Sequence, residues 1–172
     1  MRYIKSKGIV FWITGLPGSG KTEIAKKIKK SIVKKYGKTI LISGDDLRKI
    51  LKFKSYKKND RLNYAKVYSK LVKKLSEQNI NVIIATVALF RKVHKWNRKN
   101  ITNYVEIYIK SDIKKIIKLK KKYFYIKKVK NILGQDIKPE FPKSPNIIIE
   151  NMFEKSIASL STDLISKINK IV

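Results

Sequence analysis

The stretch GLPGSGKT, residues 15–22, constrains this chain more than any other part of it. It completes the pattern G-x-x-x-x-G-K-[ST] with Gly15, Gly20, Lys21 and Thr22. Three of the chain's 7 glycines fall inside it. Glycine there lets backbone N–H groups turn inward around an anion, where side chains would block the approach. Upstream lies GIVFWIT, an apolar run with β-branched and aromatic residues that reads as a buried strand. Downstream, Ile24, Ala25, Ile28, Ile32 and Val33 recur at helical spacing among lysines. In that context the helix N-terminus points its partial positive charge at a bound phosphate. A nucleoside triphosphate is therefore expected on Gly15, Leu16, Pro17, Gly18, Ser19, Gly20, Lys21 and Thr22. Lys21 would reach the β- and γ-phosphates and act in catalysis, and Thr22 would ligate Mg²⁺. ATP and Mg²⁺ are the expected cofactors.

The rest of the chain alternates strand and helix signals. TILIS (39–43) reads as a second strand, followed by Gly44 and Asp45. Tyr64, Val67, Tyr68, Leu71, Val72 and Leu75 mark an amphipathic helix over about residues 60–78. NVIIATVALF begins as a third strand and runs on into a loop, and YVEIYIK (104–110) is a fourth. A basic helix is expected from about Asp112, a short strand at NIII (146–149), and a last helix carrying Ile157, Leu160, Leu164, Ile165, Ile168 and Val172. This order implies an α/β fold: a P-loop NTPase three-layer sandwich, with a mostly parallel sheet of about five strands and helices on both faces. One domain over residues 1–172 is expected from the length.

Composition narrows the setting. The formal net charge is +30, yet only 5 of the 42 basic residues are arginine, and the lysines are spread from end to end. Arginine is the better residue for forked phosphate and base contacts. The joint enrichment in Lys, Ile, Asn and Tyr is what AT-rich codons produce. The charge is therefore read as compositional, with no specific nucleic-acid partner. The apolar run at 9–13 leads straight into the glycine loop, and the run at 82–90 is too short to span a bilayer as a helix. With no cysteine in the chain, a cytoplasmic protein without a membrane partner is expected.

Asp45 follows the second strand, at the sheet edge where α/β proteins bind ligands. A carboxylate there can orient an attacking hydroxyl or support Mg²⁺, which makes Asp45 a candidate catalytic and metal residue. The Asp45–Asp46 pair is also suited to cap a helix. Arg48 and Arg61 stand out because a lysine-dominated chain keeps arginine there.

FWITGLPGSGKTEIAKKI, ISGDDLRKIL and NDRLNYAKVYSKLVKKLSEQNINVII together resemble the adenylylsulfate kinase family. That family's order is a phosphate loop, D-G-D-x-x-R, a D-R-x-x-N-I-R-R helix and a strand ending in F-I-S-P. NILGQDIKPEFPKSPNIII resembles its G-x-D stretch and proline-rich segment. The resemblance implies transfer of the γ-phosphate of ATP to the 3′-hydroxyl of a small nucleotide-like acceptor, with adenylyl sulfate first. It makes Asp45 the hydroxyl-orienting base and Arg48 and Arg61 the acceptor's anion contacts. It sets Tyr56 and Ile132 near family aromatics that hold nucleotide bases, and Val87 and Ala88 within the F-I-S-P position. It also allows a homodimer. Ser43 replaces the first Asp of D-G-D, Asn63 and Tyr64 stand where the family has E-N, and Lys66 and Val67 replace paired arginines. These changes concern the acceptor. The region ATVALFRKVHKWNRKNITNYVEIY resembles at least as much a divergent branch of cytidine diphosphoramidate kinases of capsule biosynthesis. Against a third reading, an ATP-dependent nucleic-acid-binding protein, NVIIAT carries no acid of the kind that ends the matching strand of ATPase motors.

His94 reads as a packing or surface residue, Trp12 as core, and Trp96 as packing a helix. Residues 120–146 are expected to form a lid and acceptor segment, and the lysines and tyrosines at 120–130 read equally as a lid closing over ATP or as a solvated helix.

Overall fold

A computed structural model describes residue 4, residues 6–120 and residues 130–172. The expected lid residues 121–129 lie outside the described part. β1 (Val10–Gly15) runs into α1 (Lys21–Tyr36), then β2 (Thr39–Ser43), α2 (Gly44–Ile50) and α3 (Lys58–Glu77). β3 (Asn81–Thr86), α4 (Arg91–Asn100), β4 (Tyr104–Lys110) and α5 (Ile113–Lys120) follow, with β5 (Ile147–Glu150) and α6 (Ile157–Ile171) at the end. The five strands pair in parallel in the order β2-β3-β1-β4-β5.

The two-residue period of the strands sorts the core into two layers. Val10, Trp12, Val82, Ile84 and Tyr104 face α2, α3, α4 and α5, where Leu47, Tyr68, Val72, Val93 and Ile116 meet them. Phe11, Ile13, Ile83, Val105 and Ile107 face the other way, onto Ile24, Ile28 and Ile32 of α1 and Leu160, Leu164 and Ile168 of α6. A sheet covered on both faces explains why β1 is a continuous apolar run and not an alternating one. Val33, expected on the buried stripe of α1, is 42 % exposed, and so the stripe is narrower than the sequence suggests.

α1 leaves β1 toward one face, and α4 leaves β3 toward the other. The carboxyl ends of these adjacent strands therefore open a crevice between them. Register brings the ends level: Thr14 pairs with Thr86 and Tyr108, and Ser43 with Ala85.

A carboxylate is buried inside this frame. Glu106 on β4 has no solvent exposure. It pairs with Arg98 of α4 and accepts a hydrogen bond from the Tyr104 hydroxyl at 3.2 Å. Arg98 also donates to the Ser144 carbonyl at 2.6 Å, and the Glu106 N–H donates to Asn146 Oδ1 at 2.8 Å. Burial, reinforced by Glu106, holds the Tyr104 hydroxyl well above its ordinary pKa. A carboxylate in such a place stabilises only while its partners remain. Glu106→Ala, which leaves the buried Tyr104 hydroxyl without its acceptor while Arg98 keeps solvent and Ser144, is expected to lower the unfolding free energy by about 1–3 kcal/mol in urea titration. A loss under about 1 kcal/mol would mean that the pair is only a surface contact.

Trp12 is fully buried, as expected, and Trp96 packs against the same core layer. His94 is buried on α4, and its Nε2–H donates to the Ala88 carbonyl at 2.8 Å. Burial pushes its pKa down, which keeps the ring neutral.

Candidate active site

The crevice at the carboxyl ends of the strands is a cavity of about 770 Å³. That is a size suited to a nucleotide-scale ligand, since small-molecule sites span about 300–1,000 Å³. One wall is the glycine loop, represented by Pro17, Gly18, Gly20, Lys21 and Thr22. Of the other loop residues, Ser19 is fully buried, Leu16 packs into the core, and neither lines the cavity. Gly15 belongs to β1 and does not line it either. The Lys21 ammonium donates to the Leu16 carbonyl at 2.6 Å and to Ser19 Oγ at 3.3 Å, which holds its charge against the loop. Thr22 sits in the first turn of α1, beside the N–H groups that this end leaves unpaired within the helix.

The opposite wall begins where β2 turns into α2. Gly44 is required there, because a Cβ would lie 2.8 Å from Thr86 Oγ1 on β3. The helix cap is Ser43 and not one of the two aspartates. Its Oγ accepts from the Asp46 N–H at 3.0 Å and donates to Asp46 Oδ2 at 2.6 Å. The expectation that one aspartate caps this helix is thereby corrected. Asp46 is engaged by the cap, whereas Asp45 is exposed and lines the cavity.

Arg48 and Arg61 flank one aromatic ring. The Arg48 guanidinium carbon lies 3.8 Å from the Tyr56 ring centroid and that of Arg61 4.9 Å. Arg48 donates to the Ser55 carbonyl at 2.6 Å. Arg61 donates to the Tyr56 carbonyl at 2.9 Å and to the Asn131 carbonyl at 3.1 Å. No carboxylate forms an ion pair with either among the described residues. Burial, then the charge of Arg48, lowers the pKa of Arg61. Two guanidiniums so close together, without a counter-ion, make this corner of the cavity a place for an anion.

The structure brings all the substrate-side residues expected from the sequence to this cavity: Asp45, Arg48, Tyr56, Arg61, Val87, Ala88 and Ile132. Sequence reasoning missed two groups. Tyr64 and Tyr68, read as core positions of α3, also line the cavity. The Tyr68 hydroxyl donates to the Gly44 carbonyl at 3.3 Å, and burial pushes its pKa up to about 12. The second group that lines the cavity is Asn151 and Phe153, from the turn after β5, and Ile157, at the start of α6. The signal for it was the one that marked Asp45: a polar residue just beyond a strand's carboxyl end.

The sequence profile of the family described as "Adenylylsulphate kinase" matches residues 7–150. A cytidine diphosphoramidate kinase of Campylobacter jejuni is 32% identical over 96% of this chain and 99% of its own length. An adenylyl-sulfate kinase of Pseudomonas aeruginosa is 29% identical over 87% of this chain and 80% of its own. Among solved structures, the APS kinase of Mycobacterium tuberculosis, in complex with AMPPNP and APS, superposes with a TM-score of 0.83. It shares 20% identity, with 95% of this chain and 98% of that one covered. A shikimate kinase from Aquifex aeolicus shares the fold at a TM-score of 0.60. No helix among the described residues is long and apolar enough to cross a membrane. A complete glycine loop, an aspartate lining the same cavity and a profile match over most of the length lead to one assignment. The chain is an ATP-dependent kinase and belongs to the adenylylsulphate kinase family.

Proposed function

We propose that this kinase phosphorylates a hydroxyl of a cytidine-diphosphate-linked acceptor, cytidine diphosphoramidate. The observation that carries the kinase geometry is the single cavity joining Lys21 and Thr22 to Asp45, Arg48 and Arg61. The acceptor is supported by the end-to-end match to the Campylobacter jejuni enzyme, which extends over nearly the whole of both chains. Adenylyl sulfate is the second reading, supported by the family profile and by the adenylyl-sulfate kinases among the relatives.

The ATP phosphates lie on the glycine loop, and the acceptor's anionic group lies against Arg48 and Arg61. The acceptor hydroxyl oxygen bonds to the γ-phosphorus as the bond from that phosphorus to the β–γ bridging oxygen breaks, and ADP leaves. Asp45 orients the hydroxyl and takes its proton, which passes to solvent. Among the described residues no three His, Cys, Asp or Glu side chains form a metal cage. The donor set fits Mg²⁺ nonetheless, because that ion rides on substrate phosphates and asks the protein for one or two oxygens. Thr22 would supply one through its hydroxyl, which leaves Asp45 to the acceptor. Bound there, Mg²⁺ would neutralise charge that develops on the phosphates. Tyr56, Tyr64, Val87, Ala88 and Ile132 form the wall against which the acceptor's base and ribose rest.

The test is ADP formation with Mg²⁺ and ATP against cytidine diphosphoramidate, CDP, adenylyl sulfate and no acceptor, with the product identified by mass. Turnover with cytidine diphosphoramidate at least about tenfold above adenylyl sulfate, a difference of about 1.4 kcal/mol in transition-state binding, is expected. Preference for adenylyl sulfate would overturn the acceptor assignment and leave the kinase chemistry standing.

A further inference from the structure

Asn151 follows the last residue of β5 and continues its ladder by one step, its N–H donating to the Lys110 carbonyl at 2.9 Å. The side chain is 2 % exposed and both ends of its amide are used. Oδ1 accepts from the Phe153 N–H at 3.0 Å, which closes a turn over residues 151–153. Nδ2 donates to the Ser19 carbonyl at 3.0 Å, across 132 positions of sequence. These partners fix the orientation of the amide, because a flipped group would set donor against donor and acceptor against acceptor. The contact is also close. A Cβ on Gly20, which sits at φ +88°, would lie 3.0 Å from Asn151 Nδ2.

We propose that Asn151 is a positioning residue of the phosphate loop, which holds the Ser19 carbonyl away from the cavity so that the Gly20 N–H points at the triphosphate. The reason is the planarity of the peptide group. In a trans peptide the carbonyl and the following N–H point in opposite directions, so fixing one fixes the other. Pulling the Ser19 carbonyl toward β5 directs the next N–H into the loop's concavity. Without that tether, the Ser19–Gly20 peptide is free to rotate, since glycine tolerates either orientation. A carbonyl oxygen facing phosphate would then repel it. Asn151 thus serves the loop from the edge strand of the sheet, two places from β1.

The inference rests on the loop holding the phosphates of ATP, and the test separates the two. Asn151→Asp keeps the acceptor for Phe153 and loses the donor for Ser19. It is expected to weaken ATP binding about tenfold, the effect of losing one well-placed hydrogen bond and setting a carboxylate against a carbonyl. Inorganic tripolyphosphate, which has no base or ribose, is the second probe. Its affinity should fall by the same factor, measured by calorimetry, while the acceptor KM stays as in wild type and a cooperative melting transition shows that the variant is folded. Asn151→Ser, whose hydroxyl is too short to span to Ser19, carries the same test if the aspartate variant does not fold. Wild-type affinity for both ligands in a folded variant would overturn the proposal. So would a loss confined to ATP, which would move the effect to the base. If the unaltered protein bound neither ATP nor tripolyphosphate, the loop assignment itself would fall.

Discussion

Asp45→Asn is expected to lower kcat by about 10²–10⁴, the range that a positioned general base contributes, with ATP affinity within about twofold of wild type. The substitution keeps the size and hydrogen-bonding reach of the side chain and removes its capacity to take a proton. Cap chemistry makes the experiment clean. Because Ser43 caps α2 through the Asp46 N–H, neutralising Asp45 removes no capping bond. Asp45 is also exposed, so no buried partner is stranded by the change. The readout is single-turnover transfer of labelled γ-phosphate at saturating ATP and acceptor. A second expectation guards against a purely electrostatic role. Asp46→Asn, one position along in the same turn, should leave kcat within about threefold, because its carboxylate accepts from Ser43 and does not line the cavity. Full transfer by the Asp45 variant would remove that residue from the chemistry.

The contrast between the two aspartates shows how far the sequence could be read. The glycine loop was legible because its function lies in its backbone, and a backbone that must turn around an anion leaves glycines in the sequence. The succession of strands along the chain was legible, since buried parallel strands are continuous apolar runs, whereas their order in the sheet leaves no local signal. Asp45, Arg48 and Arg61 were legible by position and by scarcity. Other features were hidden for physical reasons. α4 buries Val93, His94 and Asn97, and two polar residues among those three leave little apolar periodicity to detect. Glu106 sits inside YVEIYIK, where a charge at an inward position reads as an outward one until Arg98 arrives from the preceding helix. Tyr64 and Tyr68 share the apolar stripe of α3 with true core residues, yet that stripe overruns the sheet and its end faces the cavity. Asn151 is brought to Ser19 by β5 lining up two places from β1, and a contact of that range has no local signature.

Lys21→Met is expected to lower kcat/KM for ATP by about 10³, somewhat beyond the loss of one neutral donor to a transferring group, because a full charge is removed. Methionine keeps the unbranched stem, so the packing around a residue that is only 6 % exposed is largely retained. What is lost is the ammonium that the Leu16 carbonyl and Ser19 Oγ hold at the rim of the loop. Both tethers are loop atoms, so the charge and the backbone N–H groups that cradle phosphate form one unit. Negative charge grows on the β–γ bridging oxygen as ADP departs, and a cation fixed beside that oxygen acts more strongly there than on bound ATP. The loss should therefore appear in kcat as well as in KM. Lys21→Arg should not restore the rate. Its planar fork is wider than an ammonium, and a loop this close to its own lysine leaves no room for it. Steady-state ADP release across ATP concentrations separates the two parameters. If kcat stayed within about threefold of wild type while KM alone rose, Lys21 would be a ground-state anchor. Stabilisation of the leaving group would then rest on Mg²⁺ and on the N–H groups of the loop.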